Sequence, residues 1–366
     1  MRLKTAVGIG AGVTAGVATL AGVGVALAGW KLYQRVRSGE SLAGRVVLIT
    51  GGSRGLGLAM AEEFANHGAR LVICARDQRE LETARARLAA LGAEVLALPC
   101  DVGVQDQVQA LVKEAAARFG HIDVLVNNAG VIQVGPLEAQ TLQDFEEAMD
   151  VMFWGTVYPT LAVLPLMKQR GSGHIANITS IGGKVSVPHL LPYSCAKFAA
   201  MGFSQGLRAE LGQHGIRVTT VVPGLMRTGS HLNAYFKGRN QDEFTWFSLG
   251  ATLPLAAMSA RRAARRIVAA IRRGQAEVIL SPQARALAMI HGVAPGSTAD
   301  LLGVVNRIMP RADGQSPDRR LGRESQTRVT RSLLTALGRK AARELNQENA
   351  GAGRRGPEAG PSAQPA

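Results

Sequence analysis

The chain has 366 residues, 46% of them hydrophobic and 19% charged, and 42 Lys and Arg stand against 27 Asp and Glu for a net charge of +15. The apolar share excludes a disordered chain, and three isolated cysteines, Cys74, Cys100 and Cys195, exclude a disulfide scaffold and offer no CxxC or CxxH pair for a metal. The basic residues are not interleaved with aromatics, so nucleic acid is not an expected partner.

Residues 5–29 carry no charge. As a helix that run would be about 37 Å long, against a hydrocarbon core of about 30 Å. Arg2 and Lys4 precede it, and Trp30, Lys31, Tyr33, Arg35 and Arg37 follow it as an interfacial belt would. Gly8, Gly12 and Gly16 share one helical face. The favoured expectation is a single-pass membrane anchor with its juxtamembrane segment over residues 1–38. The cations after the run put the rest of the chain on the cytoplasmic side. Two alternatives stay open. Ala26-Leu27-Ala28 has the form of a signal-peptide cleavage site, and the run could lie against a membrane as a peripheral arm.

From residue 45 short β-branched runs alternate with longer helical patterns. Strands are expected at 45–50, 71–74, 95–98, 124–127, 174–179, 218–222 and 278–280, with helices at 56–67 and 80–91 between the first three. The strands are continuously apolar, which suits burial on both faces. The pattern predicts an α/β fold, a doubly wound Rossmann-type parallel sheet, in one catalytic domain over residues 39–280.

After the first strand comes Thr50-Gly51-Gly52-Ser53-Arg54-Gly55-Leu56-Gly57. Glycines between a strand and a helix let the backbone turn tightly and approach a pyrophosphate, and the helix N-terminus adds free N–H groups. Gly51, Ser53, Arg54, Gly55, Leu56 and Gly57 are therefore candidate cofactor residues; an ordinary strand–helix turn is the alternative. The second strand ends Cys74-Ala75-Arg76-Asp77. Ala75 stands where an acid would bind the ribose hydroxyls of NAD, while Arg54 and Arg76 could pair with a 2′-phosphate. NADP(H) is favoured over NAD, although Asp77 could partly neutralise such a site.

Further motifs follow in one order: Asp101, Asn127-Asn128-Ala129-Gly130, Ser180, Tyr193-Ser194-Cys195-Ala196-Lys197, Pro223-Gly224 and Thr228. With TGGSRGLG at 50–57, the chain resembles the short-chain dehydrogenase/reductase family over roughly residues 42–280. The resemblance implies an oxidoreductase that interconverts a carbonyl and an alcohol. Tyr193 would exchange a proton with the substrate oxygen. Lys197, four residues on, would lower the phenol's pKa and hold the nicotinamide ribose. Ser180 would orient the substrate carbonyl. Asp101 and Val102 would meet the adenine. Asn127, Asn128, Ala129 and Gly130 would line the cofactor, and Pro223, Gly224 and Thr228 would close around the nicotinamide amide. The family also implies a homodimer or homotetramer.

One position departs from the family pattern. Met152 stands where an Asn that holds a relay water is expected, and no Asn occurs from residue 144 to 157. A thioether is a weak acceptor and no donor. A catalytically weak cofactor-binding or scaffold protein is therefore the alternative function.

Residues 226–258 are expected to form a lid. Tyr235, Phe236, Phe244, Trp246 and Phe247 gather there in a chain with few aromatics. Such a lid suits an apolar substrate, such as a lipid-derived ketone, a steroid or a retinoid; packing is the competing role. The arginine-rich stretch 259–273 is read as a surface helix covering the sheet, with lipid contact as the alternative. Residues 281–310 form an extension that lengthens the lid or contacts a membrane. Residues 311–366 are a basic tail of net charge +5, with one helix expected over 327–346 and a Gly/Pro-rich end.

Overall fold

The computed structural model describes residues 39–253, 257–312, 318–332 and 335–348. The expected anchor over 5–29 and the Gly/Pro-rich end lie outside those residues. The chain divides between Ser41 and Leu42, and the fold belongs to the unit that begins at Leu42.

In chain order this unit runs β1 (Val46–Thr50), α1 (Gly55–Asn66), β2 (Arg70–Ala75), α2 (Gln78–Ala89), β3 (Val95–Pro99), α3 (Gln105–Phe119) and β4 (Val124–Asn127). It continues with β5 (Gln133–Val134), α4 (Leu142–Met149), α5 (Gly155–Arg170), β6 (Gly173–Ile178), α6 (Leu191–Leu211) and β7 (Ile216–Val222). The third stretch holds β8 (Met226–Arg227), β9 (Tyr235–Phe236), α7 (Asn240–Thr252), β10 (Met258–Ser259), α8 (Ala260–Arg272) and β11 (Glu277–Ile279). Beyond it lie α9 (Pro282–Val293), α10 (Pro295–Asn306), β12 (Arg320–Leu321) and α11 (Ala336–Glu344).

Seven parallel strands form the main sheet in the order β11-β7-β6-β4-β1-β2-β3, which is a Rossmann-type α/β fold. From β1 the chain moves outward through β2 to β3, then returns to the other side of β1 for β4, β6, β7 and β11. That reversal opens a crevice at the carboxyl ends of β1 and β4, where ligands of such sheets bind. Leu48 pairs with Val72 on one side and Leu125 on the other. Val47 and Ile49 pack into the layer made by α1 and α8, while Val46 and Leu48 face α3, α5 and α6. Both faces are apolar, which explains why the strands read as unbroken hydrophobic runs.

The arginine-rich helix α8 covers the sheet: Ala263, Ala264, Ile267, Val268 and Ile271 are buried, and α8 packs on α1. The helical run Leu142–Arg170, interrupted by a π-turn at Asp150–Trp154, is the one among the described residues long and apolar enough to cross a membrane by length and composition. It packs against β4, β6 and α3.

Two histidines tie stability to acid. His174, buried in β6, has its Nε2 2.8 Å from Thr219 Oγ1, and Thr219 donates its own proton to Gln275 O at 2.6 Å. The hydroxyl therefore accepts from the ring, which makes His174 the Nε2–H tautomer. Burial pushes His174 down to about 3, helped by Arg217 and Arg208, and burial pushes His231 down to about 4. The unfolded chain binds these protons near pH 6.5 and the folded chain does not, so stability falls as pH drops below about 6.5. Between pH 7 and pH 5 each histidine is expected to remove about 2 kcal/mol. Urea unfolding at the two pH values checks this, and His174→Gln should remove about half of the difference. An unchanged difference in that variant would be the contrary result.

Candidate active site

The glycine loop closes between β1 and α1 because no side chain fits there. A Cβ on Gly57 would lie 2.1 Å from Gly51 O. The loop is pinned to the end of β4. Thr50 Oγ1 accepts from the N–H groups of Asn128 (2.9 Å) and Ala129 (3.1 Å), and Asn128 Nδ2 donates to Thr50 O (2.9 Å) and Gly51 O (3.2 Å). The first turn of α1 holds no acid and its N-cap is Arg54. Backbone N–H groups, the helix dipole and a cation thus face the same crevice, which fits an anion such as a pyrophosphate.

At the end of β2, Ala75, Arg76 and Asp77 line the crevice. Neither arginine stands without a carboxylate. Arg54 Nη1 donates to Glu80 Oε1 at 2.9 Å, Ser53 Oγ donates to Glu80 Oε2 at 3.1 Å, and Arg76 lies 3.7 Å from Asp101 Oδ2. Asp77 accepts from the Arg79 and Glu80 N–H groups as the N-cap of α2. Its carboxylate serves the helix rather than neutralising Arg76. Glu80 was not singled out by sequence; it lies in an ordinary helical pattern, and only folding carries it onto the glycine loop.

The C-terminal stretch supplies a second unexpected wall. After α11 the chain crosses the glycine loop. Leu345 O accepts from Gly55 N–H at 2.9 Å, and Asn346 Nδ2 donates to Ser53 O at 3.2 Å. Leu345 itself is buried in the core under α1 and α8, and Gln347 lines the crevice beside Gly55. A Cβ on Gly55 would lie 2.5 Å from Gln347 Nε2. This part of the expected tail is therefore folded, and it takes one N–H of the loop that the sequence assigns to a phosphate.

Ser180, Tyr193 and Lys197 meet at the other end of the crevice. Ser180 follows β6, and its Oγ accepts from Gly182 N–H at 3.0 Å. Gly182 and Gly183 are what let α6 approach: a Cβ on Gly182 would sit 3.2 Å from the Tyr193 ring, and one on Gly183 would sit 2.6 Å from Lys197 O. Lys197 Nζ donates to Ile178 O at 2.9 Å and lies 5.9 Å from the Tyr193 ring centroid. Burial drives both groups toward neutrality. The Tyr193 phenol is raised by burial, with a hydrogen bond to Ser180 acting against it, and Lys197 is pushed down to about 8. The Lys197 ammonium is directed to the Ile178 carbonyl, and burial is the largest influence on both groups.

Gly51, Ser53, Arg54, Gly55, Leu56, Gly57, Arg76, Asp101, Val102, Asn128, Ala129, Gly130, Ser180, Tyr193, Lys197, Pro223, Gly224 and Thr228 all line one cavity of about 540 Å³. Asn127 does not. Its Nδ2 is buried between Thr160 Oγ1 (3.0 Å) and Asn177 Oδ1 (2.8 Å), where it ties β4 to α5 and β6. The lid aromatics divide. Tyr235, Trp246 and Phe247 line the cavity, whereas Phe236 and Phe244 pack edge to face, 5.2 Å apart, in a buried cluster. Glu243 ties α7 to His189: it is bonded to His189 Nδ1 and to Trp246 Nε1, each at 2.7 Å.

Met152 is buried in the π-turn among Ala148, Ala196, Val131 and Tyr193. An amide there would enter an apolar cluster. Met152→Asn is expected to lower stability by about 1–3 kcal/mol while turnover, measured well below the melting temperature, rises or stays unchanged. Paired denaturation and single-turnover assays check both, and a sharp fall in turnover with cofactor affinity intact would show that the thioether suits its place.

Residues 45–235 match the short chain dehydrogenase family. The chain is 39% identical over 210 residues to dehydrogenase/reductase SDR family member 7B of Danio rerio, covering 56% of this chain and 68% of that one. It is 36% identical over 251 residues to the oxidoreductase SadH of Mycobacterium tuberculosis, covering 68% and 90%. The crystal structure of a short-chain dehydrogenase from Streptomyces avermitilis superposes with a TM-score of 0.63 at 29% identity, over 74% of this chain and 100% of that one. The chain belongs to the short-chain dehydrogenase/reductase family and is an NAD(P)-dependent oxidoreductase.

Proposed function

We propose that the protein interconverts a carbonyl and an alcohol on an apolar, lipid-, steroid- or retinoid-like substrate with NADP(H), with residues 39–280 as its catalytic domain and 226–258 as its lid. The observation that carries this reading is the single cavity that runs from the glycine loop past Ser180, Tyr193 and Lys197 to Val187, Leu190, Leu225, Trp246, Phe247 and Leu287. A dinucleotide would lie with its pyrophosphate at Gly51–Gly57, its adenine near Asp101 and Val102, and its nicotinamide near Pro223, Gly224 and Thr228. When bound, it supplies or accepts the hydride.

The chain's own residues do the rest. Ser180 Oγ, held by Gly182 N–H, donates to the substrate oxygen. Tyr193, whose phenol burial raises above its ordinary value, gives that oxygen its proton during reduction and takes it back during oxidation. Lys197 holds the ribose hydroxyls, and its ammonium can pass a proton to the phenolate that Tyr193 leaves, to be protonated again from solvent. The apolar wall around Trp246 and Phe247 excludes water and fits a hydrocarbon skeleton. NADP(H) is preferred because Ala75 offers no acid at the end of β2, while Arg54 and Arg76 flank that point. The salt bridges of both arginines to Glu80 and Asp101 favour a second reading, NAD, in which these cations are already neutralised.

The membrane anchor over 5–29, with the catalytic domain on the cytoplasmic side, belongs to the same proposal, since apolar substrates partition into lipid. So does a homodimer or homotetramer, supported by the exposed Trp154, Leu161 and Phe198. The test is NADPH and NADH oxidation by the full-length protein against a panel of ketones from short-chain to steroidal. Apolar ketones with NADPH should give the highest kcat/KM. Preference for NADH, or for small polar ketones, would overturn that part of the reading.

A further inference from the structure

Helices α9 and α10 follow the sheet and pack on each other. In α10 and just beyond it, Leu301, Val304, Val305 and Ile308 fall at i, i+3, i+4 and i+7. In α9, Met289, Ile290 and Val293 make a similar stripe. Such a stripe ordinarily faces a protein core. Here it faces outward: Val293 is 88% exposed, Ile308 85%, Met289 65%, Leu301 61% and Ile290 59%. The opposite side of α9 is buried at Ala284, and Gln283, Ala284 and Leu287 line the cavity near its substrate end.

We propose that this helical hairpin beds into the head-group and upper acyl region of a phospholipid bilayer, with the substrate end of the cavity beside it. Three observations favour lipid over a second copy of the chain. Each helix has 12 residues, about 18 Å, too short to span a bilayer of about 30 Å but suited to lying in its interface. Exposed Arg285, Arg307 and Arg311 fringe the stripe, against one acid, Asp300, in residues 281–312, a balance that fits anionic head groups. The same chain carries the charge-free run 5–29, long enough to cross a bilayer. The hairpin adds to that run a contact that would fix how the catalytic unit faces the lipid.

The test is photolabelling. Full-length protein is reconstituted in phosphatidylcholine–phosphatidylserine vesicles that contain a diazirine-tailed phospholipid, irradiated, digested with trypsin and mapped by mass spectrometry. Peptide 286–307 is expected to carry lipid adducts at least tenfold above peptide 114–118 of α3, whose Glu114, Ala117 and Arg118 are exposed. Leu301→Ser with Val304→Ser, at exposed sites where folding is preserved, should cut that labelling several-fold and leave the melting temperature unchanged. Absence of adducts on 286–307 while residues 5–29 are labelled would overturn the proposal, and so would crosslinks joining 286–307 of two protein copies. The readout is independent of any ketone assay, so failure of the substrate reading and failure of the membrane contact are distinguishable.

Discussion

Tyr193→Phe is expected to lower carbonyl reduction by about 10²–10⁴-fold while cofactor affinity and melting temperature stay near wild type, because the only atom removed is the one proposed to transfer the proton. The ring has reason to stay where it is. It packs beside Gly182 and against Met152 and Ala196, contacts that Phe retains. What goes is the hydroxyl next to Ser180, whose oxygen remains held by Gly182 N–H. Ser180 alone can polarise a carbonyl, but its hydroxyl is a far weaker acid than the phenol and cannot deliver the proton in its place. Burial raises the phenol and lowers Lys197 to about 8, so burial makes the phenol a weaker acid and the ammonium a readier one. Steady-state rates with a ketone, with dinucleotide affinity measured separately by fluorescence, decide the point. A variant that keeps more than a tenth of wild-type turnover would remove Tyr193 from the chemistry.

Asp144→Ala is expected to cost about 3–5 kcal/mol, because it strands a buried ammonium. Lys237 Nζ, on the lid side of β9, donates to Asp144 Oδ2, and both side chains are almost wholly buried. The same carboxylate accepts from Thr141 N–H at 2.7 Å as part of the capping box of α4, and from Gln133 Nε2 at 3.2 Å in β5. One residue therefore joins the small β5–β9–β12 sheet to α4. Its loss leaves Lys237 without its counter-charge and α4 without part of its cap. Urea unfolding measures the cost. Adding Lys237→Met to Asp144→Ala should return a large part of it, since the uncompensated charge is then gone. No recovery in the double variant would mean that the cap, not the ion pair, carries the effect.

Most of the site was legible because its chemistry depends on residue types at short range. Gly51–Gly57 is a turn whose geometry forbids side chains, and Tyr193 and Lys197 lie one helical turn apart. Continuous apolar runs announced strands buried on both sides. Asn127 does not line the cavity for a physical reason: it is the last residue of β4 and its amide is taken by Thr160 and Asn177, while Asn128, just past the strand, meets the loop. The lid aromatics were legible as a group but not as individuals, because whether a ring packs or lines a cavity is set by neighbours distant in sequence.

The sequence by itself determined the order of chemical groups along the chain, the parallel α/β architecture and the end of the sheet at which a dinucleotide would bind, since each follows from local spacing and periodicity. Only the tertiary structure decided which charges are already engaged, as with Arg54 on Glu80, and that residues 345–347 cross the glycine loop. It also decided that the stripe on α9 and α10 looks outward rather than inward. Asn346 and Ser53 are 293 positions apart. A contact over that separation forms because buried Leu345 draws the strap onto the core, and nothing in the local pattern at either end records it.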